Sequence, residues 1–270
     1  MKYGIIAGSG RFPILALETA RKQGDEAVAI AIKEEASPEV ESAAARCHWV
    51  SLGQLGRLIE ICKEEGITQI MMAGQVKHAK IFSSIRPDWK LAKVLAALSF
   101  QNTDSLIGAI QKVLLDEGIA LVDSTLLLKP LLAEMGPITK RKFTTDEQRD
   151  VDYGRKIAHA LASLDLGQSV AIANRACVAL EAMEGTDAML RRAASLVEGK
   201  RISLVKASAR RRHLLFDVPA IGPKTIDVMI ETNTTALAVD AGRTLLLDRE
   251  ELIAKANEAK IAIVGMETLG

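Results

Sequence analysis

The fold is decided first by the stretch YGIIAGSGRFP, which runs from Tyr3 to Pro13. Its apolar start predicts a short, fully buried strand over Tyr3–Ala7, and the glycines that follow predict a tight turn. Pro13 marks the first turn of a helix that continues to about Gln23, because proline is well tolerated at that position. A strand, a tight turn and a helix in this order indicate an α/β fold.

The same alternation continues through both halves of the chain, and a break rich in glycine, proline and charge separates the halves at 135–142. Strands are predicted at 26–32, 48–51, 69–73, 119–122, 169–173, 177–182, 202–205, 235–239, 244–247 and 261–264. In the first half, strands that alternate with helices predict a parallel sheet with right-handed crossovers. We therefore expect an N-terminal Rossmann-like parallel-sheet domain over 1–134 and a C-terminal α/β catalytic domain over 135–270.

The composition is that of an ordinary globular protein. Of the 270 residues, 49% are hydrophobic and 26% are charged, and the net charge is +1, so any charged ligand must be bound by a local cluster. Aromatic residues make up 3%, which argues against base stacking, and no nucleic-acid partner is expected. The three cysteines lack a zinc-ligand spacing, and no apolar run spans a bilayer or forms a signal peptide. These features predict a cytoplasmic protein.

Two glycine turns in the first half are candidate ligand contacts. The backbone N–H groups of Gly8, Ser9 and Gly10 are expected to be free to hold an anion at the start of the following helix. Gly74-Gln75 follows a later strand and leads into the basic residues Lys77, His78 and Lys80. Purely conformational roles for Gly10 and Gly74 remain an equal alternative. No acid closes the strand at 26–32, which lowers the case for a nicotinamide cofactor.

Carboxylates and cations dominate the second half. Glu184 and Asp187 lie in one strand-to-helix turn, EGTD, and Asp217 is expected at another strand end. Lys206 closes a strand between them, and Arg210–Arg212 follow it. Carboxylates that hold Mg²⁺, with lysine and arginine nearby, are the minimum for attack of water on a phosphorus centre. Simple helix capping by Asp187 and turn capping by Asp217 are the alternatives.

Several motifs taken together resemble the UDP-2,3-diacylglucosamine pyrophosphatase family of the lipid A pathway, in its two-domain α/β form rather than its calcineurin-like form. The motifs occur in order along the whole chain and are GIIAGSGRFP, AGQV, LDLGQSV, EGTDAMLRR, LVKASAR and FDVPAIGPKTI. The resemblance implies hydrolysis of UDP-2,3-diacylglucosamine to UMP and 2,3-diacylglucosamine 1-phosphate, with Mg²⁺ as cofactor. It also implies that the substrate lies between the two domains.

The resemblance further implies roles for individual residues. Asp217 matches the position expected to be essential, as a metal ligand or as the group that activates water. Substrate contacts are implied for Gly10, Gly74, Gln75, Asp104, Thr186, Asp187 and Lys206. The motif that contains Thr186 and Asp187 is more specific to the family than the glycine turns of the first half. Asp187 is also implied as a metal ligand beside Asp217. The chain departs from the family at Asn102-Thr103-Asp104, where only Asp104 of an expected Gly-Asp-Asp-like turn is kept.

Two other functions compete with this hydrolase. A nicotinamide-dependent oxidoreductase would use the first glycine turn, and a non-catalytic nucleotide or lipid sensor would bind without turnover. For the hydrolase, the acyl chains of the substrate need an apolar site, for which the domain cleft and the helix at 89–98 are candidates. Peripheral contact with the inner membrane, helped by Arg210–Arg212, is expected, and a homodimer is compatible with the sequence.

Overall fold

The computed structural model describes residues 1–76, 86–98, 103–209 and 214–269, and it describes Thr103 and Asp104 by their backbone alone. These residues form two compact units. The first consists of Met1–Leu128 with the short segment 214–217, and the second covers 129–209 and 218–269. Each unit has its own sheet and its own buried apolar core.

The first unit alternates strands and helices as its sequence predicts. Its strands are β1 (Lys2–Ala7), β2 (Glu26–Ile32), β3 (Arg46–Val50), β4 (Gln69–Ala73) and β5 (Ala120–Leu121). Its helices are α1 (Phe12–Gln23), α2 (Glu39–Ala43), α3 (Leu55–Glu64), α4 (Trp89–Ala97) and α5 (Thr103–Asp116), followed by a 3₁₀ helix at Leu126–Leu131. Pro13 lies in the first turn of α1, and Gly24 ends that helix with a left-handed φ of +77°.

The strands of the first unit form one parallel sheet in the order β3-β2-β1-β4-β5. β1 and β2 are central and almost entirely buried, which explains their continuous apolar sequences. The strand order reverses between β1 and β4, because β2 lies on one side of β1 and β4 on the other. In open parallel sheets, ligands bind at the carboxyl edge beside such a reversal. The prediction of a Rossmann-like parallel sheet is confirmed.

The second unit contains the remaining elements. Its strands are β6 (Gly136–Pro137), β7 (Ser169–Ala173), β8 (Ala176–Leu180), β9 (Ile202–Lys206), β10 (Ala220–Ile221), β11 (Thr234–Asp240), β12 (Leu245–Leu246) and β13 (Ala262–Met266). Its helices are α6 (Thr145–Ser163), α7 (Gly185–Leu196), α8 (Pro223–Glu231) and α9 (Arg249–Glu258). A capping box starts α6, in which the Thr144 hydroxyl accepts the Glu147 N–H and the Glu147 carboxylate accepts the Thr144 N–H.

The main sheet of the second unit is mixed, in the order β6-β13-β11-β9-β7-β8. Its centre is parallel, because β13 and β9 both run parallel to β11. β7 runs antiparallel to β9 and forms a hairpin with β8. The carboxyl end of β9 therefore lies beside the start of β7 and the end of β8, which brings three separate stretches of sequence to one edge.

Two stretches need description beyond the pattern of helices and strands. The break at 135–142 is part of the second unit, since Gly136–Pro137 pairs with β13 and Arg141 forms an ion pair with Glu147 at 2.7 Å. The segment before Asp217 is a turn and bend rather than a strand. It also belongs to the first unit, because the Ser124 N–H donates to the Leu214 carbonyl at 2.7 Å and the Ser124 hydroxyl donates to the Leu215 carbonyl at 2.6 Å.

Candidate functional site

The turns after β1 and β4 are joined at the carboxyl edge of the first unit. The Ser9 N–H donates to the Gln75 carbonyl at 2.8 Å, and the Gln75 N–H donates to the Ser9 carbonyl at 3.1 Å. Gly10, Gly74 and Gln75 are all exposed there. The structure thus brings together, at the strand-order reversal, three of the four first-unit residues that the resemblance implies as substrate contacts.

Glycine is required at Gly74 for two reasons. Its φ is +86°, in the left-handed region, and a Cβ would lie 2.4 Å from the Ser9 carbonyl oxygen. Gly10 also has a positive φ, of +93°, but a Cβ there would meet no atom within 4 Å. Gly74 therefore keeps the two turns in contact, whereas Gly10 leaves open space at the surface.

The expectation of three free N–H groups at the first turn is wrong. The Gly8 N–H donates to the Ala73 carbonyl at 2.8 Å, and the Ser9 N–H is donated to Gln75. These donors hold the β1 turn to the β4 turn and cannot also bind an anion. A ligand contact at Gly10 stays a prediction.

Asp217 lies at this same edge of the first unit. Its segment is fixed beside Ser124, which follows β5 at the carboxyl end of the sheet, and Leu215 packs against the core of the first unit. Asp217 is exposed and has a φ of +52°, in the left-handed region that aspartate tolerates better than most residues. The prediction that Asp217 closes a strand of the second domain is therefore corrected. The segment that carries Asp217 is held by the first unit.

Other predicted groups of the first unit are described only in part. Asp104 lies in the first turn of α5, which begins at Thr103, and its side chain lies outside the described structure. The basic residues Lys77, His78 and Lys80 also lie outside the described residues, as do Arg210–Arg212 of the second half.

In the second unit, Lys206 lies in a buried polar network at the end of β9. Its ammonium donates to the Thr186 hydroxyl at 2.9 Å and to the Ser169 hydroxyl at 3.2 Å. The Glu181 carboxylate lies 3.9 Å away and accepts the Thr186 hydroxyl at 2.9 Å. Lys206 is 6% exposed and Glu181 is 9% exposed. Thr186 and Lys206, both predicted as substrate contacts, are therefore neighbours.

Glu181 and Ser169 are the members of this network that sequence reasoning missed. Burial alone raises the pKa of Glu181, but Lys206 and the hydrogen bonds from Ser169, Thr186 and Gln168 outweigh it and hold that pKa below its ordinary value. The signal for Glu181 was its place three residues before Glu184, at the end of an apolar strand. Glu181 lies beside Ser169 because β7 and β8 form an antiparallel hairpin, and the sequence alone did not establish that hairpin.

The two acids of the EGTD turn have separate partners. Asp187, in the first turn of α7, lies 3.4 Å from the Lys224 ammonium. Glu184 forms an ion pair with Arg192 at 2.6 Å, which holds the pKa of Glu184 below its usual range. Among the described residues, the two carboxylates share no ion-pair partner. Asp187 and the Thr186–Lys206 network nevertheless lie at the same end of α7.

A second buried cluster borders this network. The Asp240 carboxylate at the end of β11 accepts the Ser208 N–H at 2.8 Å and lies 3.2 Å from Nε2 of His159. Arg243 donates to the Ser208 hydroxyl at 3.2 Å and to the Ala209 carbonyl at 3.0 Å. These bonds fix the turn that follows Lys206. The sequence offered no motif for this cluster, because its members come from three separate elements.

Within the described part of the chain, no three histidine, cysteine, aspartate or glutamate side chains come together as a group that could hold a metal ion. Magnesium in phosphoryl-transfer sites commonly keeps several waters and takes one or two carboxylates together with substrate phosphates. An Asp217 or Asp187 carboxylate suits that kind of site, which does not need a cluster of three protein ligands. Magnesium binding therefore stays a prediction.

Comparison with known proteins identifies the family. A model described as the LpxI N-terminal domain matches residues 2–131, and one described as the LpxI C-terminal domain matches residues 134–264. The chain belongs to the LpxI family. A relative in Caulobacter vibrioides, named UDP-2,3-diacylglucosamine pyrophosphatase LpxI, is 27% identical over 276 residues and covers 98% of each chain. The resemblance inferred from the LpxI-type motifs is thereby confirmed.

Solved structures add little to the LpxI assignment. A CobK precorrin-6A reductase covers 100% of this chain and 89% of its own, at 13% identity and a TM-score of 0.34. The biotin carboxylase subunit of a pyruvate carboxylase covers 73% of this chain and 42% of its own, at 13% identity and a TM-score of 0.28. Likeness at this level carries no argument about the function or the fold of an LpxI-family chain.

Proposed function

We propose that this chain hydrolyses the diphosphate of UDP-2,3-diacylglucosamine, giving UMP and 2,3-diacylglucosamine 1-phosphate in lipid A biosynthesis. The observation that carries the proposal is the match to the Caulobacter vibrioides enzyme of that name over 98% of both chains. The arrangement of Asp217 with Gly10, Gly74 and Gln75 at one edge of the first unit supports it, because that is where parallel sheets bind nucleotides.

In the proposed reaction, a water oxygen bonds to the α-phosphorus while the bond from that phosphorus to the bridging oxygen breaks. The bridging oxygen leaves with the lipid 1-phosphate, and the water oxygen stays on UMP. Asp217 is proposed to orient the water or accept its proton, since an exposed carboxylate at a ligand-binding edge is suited to either task. Bound Mg²⁺, for which Asp217 and Asp187 are the proposed ligands, would offset negative charge on the diphosphate.

The other residues are proposed to bind and position the substrate. Gly10, Gly74 and Gln75 present backbone and amide groups at the surface of the first unit. Thr186 and Asp187 begin α7, whose amino-terminal end favours a negatively charged group. Lys206 is proposed to act mainly through Thr186, because its ammonium is buried and already bonded to that hydroxyl at 2.9 Å. Asp104 is kept as a further proposed contact.

The lipid substrate also implies a location. Its acyl chains lie in a bilayer, so we propose a cytoplasmic enzyme that associates peripherally with the inner membrane. No helix among the described residues is long and apolar enough to cross a membrane.

The deciding experiment is a UMP-release assay on Asp217→Asn with the diacylated substrate. Asparagine keeps the shape of the side chain and also tolerates the φ of +52°, so folding should be preserved. Loss of a catalytic acid–base group predicts a fall of roughly 10²- to 10⁴-fold. Asp165→Asn is the matched control, because Asp165 also has a positive φ, of +56°. Normal turnover by folded Asp217→Asn would refute the catalytic assignment.

Metal dependence is tested in the same assay. Removing divalent ions with a chelator should abolish UMP release, and added Mg²⁺ should restore it, because the diphosphate charge would otherwise be uncompensated. Full activity in the chelator, with metal content verified by elemental analysis, would contradict the proposed cofactor.

A further inference from the structure

The start of α4 presents an aromatic and cationic surface, which we call the Trp89 surface. It consists of Arg86, Trp89, Lys93, Ala96 and Ala97, all of which are exposed. Trp89 is 74% exposed, and the Lys93 ammonium lies 4.9 Å from the centroid of its ring. Aromatic residues form only 3% of the chain, and tryptophan is mostly buried in folded proteins, so the exposed ring of Trp89 is unusual.

Helical spacing explains why these side chains share one face. Trp89 and Lys93 are four residues apart, and Ala96 and Ala97 follow one turn later, which places them on the same side of α4. Leu91 and Val94 lie on the opposite side and are buried in the core of the first unit. The helix is therefore held by its apolar side, and the Trp89 surface faces outward.

The charge of the Trp89 surface is positive. Asp88 is the single acid in the sequence from Arg86 to Ala97. Its carboxylate is used inside the protein, where it accepts the Leu91 N–H at 2.9 Å and the Gly56 N–H at 2.5 Å. Arg86 and Lys93 therefore set the sign of the surface.

The Trp89 surface also lies on the side of the first unit that carries the candidate site. The Asp88 N–H donates to the Gly53 carbonyl at 2.9 Å, and Gly53 follows β3 at the carboxyl edge of the sheet. The Gly74 turn and Asp217 lie at that same edge. A partner that contacts Trp89 thus approaches the edge proposed to bind substrate.

We infer that the Trp89 surface docks the protein on an anionic bilayer, an inference that rests on the proposed lipid substrate. Tryptophan prefers the headgroup level of a membrane, and lysine and arginine attract anionic lipids. Together they supply the two weak contributions that peripheral binding needs. One large apolar side chain beside two alanines is too small a patch for a stable protein interface, which takes about 20–30 residues a side.

The chain allows a direct test, because Trp49 and Trp89 are its two tryptophans. In Trp49→Phe, emission from Trp89 should shift to shorter wavelength when phosphatidylglycerol-containing vesicles are added, and less so with pure phosphatidylcholine. In the same background, Lys93→Gln should weaken vesicle binding roughly five-fold, as expected for one basic residue near an anionic surface. Lys200→Gln, which removes an exposed lysine of the second unit, is the matched control and should bind normally.

Co-sedimentation with the same vesicles gives a second readout. Trp89→Ala should reduce the bound fraction, whereas Leu196→Ala, at a residue 60% exposed on α7, should not. An unshifted Trp89 emission on vesicles that do bind the protein, or equal losses in the control variants, would overturn the inference. Absence of vesicle binding would overturn it as well.

Failure of the inference can be told apart from failure of the proposed function. UMP release from substrate in detergent micelles does not require a bilayer. Micelle activity without a Trp89 shift would refute the membrane surface alone. Wild-type protein that shows no UMP release from micelles, with Mg²⁺ present, would refute the proposed function whatever the vesicles show.

Discussion

Replacing Lys206 by methionine measures how much the buried Lys206–Glu181 pair contributes to the stability of the fold, independently of substrate binding. The change keeps the length of the side chain and removes the ammonium, which lies 2.9 Å from the Thr186 hydroxyl and 3.9 Å from the Glu181 carboxylate. Glu181 would then be a buried carboxylate without its cation. It would keep the hydrogen bonds from Thr186 and from the Gln168 N–H.

The magnitude follows from distance and burial. Two unit charges 3.9 Å apart attract each other by about 4 kcal/mol at an effective dielectric constant of about 20. Removing one partner of a buried pair typically costs about 3–5 kcal/mol, because the remaining charge stays desolvated. We therefore expect Lys206→Met to lower the free energy of unfolding by about 3 kcal/mol at pH 7. Glu181→Gln/Lys206→Met should recover most of that loss.

The contribution of Glu181 to the free energy of unfolding should depend on pH with opposite signs in the wild-type protein and in Lys206→Met. In the wild-type protein the pKa of Glu181 is lowered, so its contribution is present above the unfolded pKa and is lost as pH falls through the folded pKa. Without Lys206, burial dominates and raises the pKa of Glu181 above its unfolded value. The variant should then gain stability as pH falls through that raised pKa, because its folded state binds the proton more tightly.

Urea unfolding followed by circular dichroism, at several pH values between 4 and 7, measures both effects. Lys224→Met is the matched control, since Lys224 lies 3.4 Å from Asp187 but its side chain is 84% exposed, and such a pair contributes at most about 1 kcal/mol. A loss in Lys206→Met no larger than in Lys224→Met would refute the reasoning. So would a variant whose stability still falls in acid as the wild-type does.

Two further predictions test the turn pairing and a second buried carboxylate. Gly74→Ala should lower the free energy of unfolding by at least about 2 kcal/mol and Gly10→Ala by only about 1 kcal/mol, because both pay for a left-handed φ but only Gly74 brings a Cβ within 2.4 Å of the Ser9 carbonyl oxygen. Thermal unfolding measures the difference, and equal losses would contradict it. Glu147→Gln should lower the free energy of unfolding by about 3 kcal/mol at pH 7, because it removes one charge of a buried ion pair. Burial raises the pKa of Glu147, but hydrogen bonds, the largest from Arg141, outweigh burial and lower that pKa to about 2. The free energy of unfolding of the wild-type protein should fall as pH is lowered from about 4.5 to about 2. Urea titrations that show the same fall in acid for Glu147→Gln would count against this account.

The local elements could largely be predicted from the sequence. The apolar runs of β1 and β2, the proline at the start of α1 and the acids that begin α6 act within a few residues, and the structure places these elements where the patterns do. The ordered motifs likewise carried the family assignment without any coordinates. The bend before Asp217 was missed because LLF has the apolar character of a strand but pairs with no neighbour in a sheet.

The sequence by itself therefore determined the α/β class, the parallel sheet of the first unit and the family. Only the tertiary structure decided which carboxylate and which cation belong together. Asp217 joins the first unit through hydrogen bonds between Ser124 and Leu214 and Leu215, which span about ninety positions of sequence, and Lys206 meets Glu181 only through a hairpin. Local periodicity carries no information about contacts at such separations. These long-range contacts form because a buried ammonium or a buried backbone group costs free energy unless it is hydrogen-bonded, and only the folded chain brings its partners within reach.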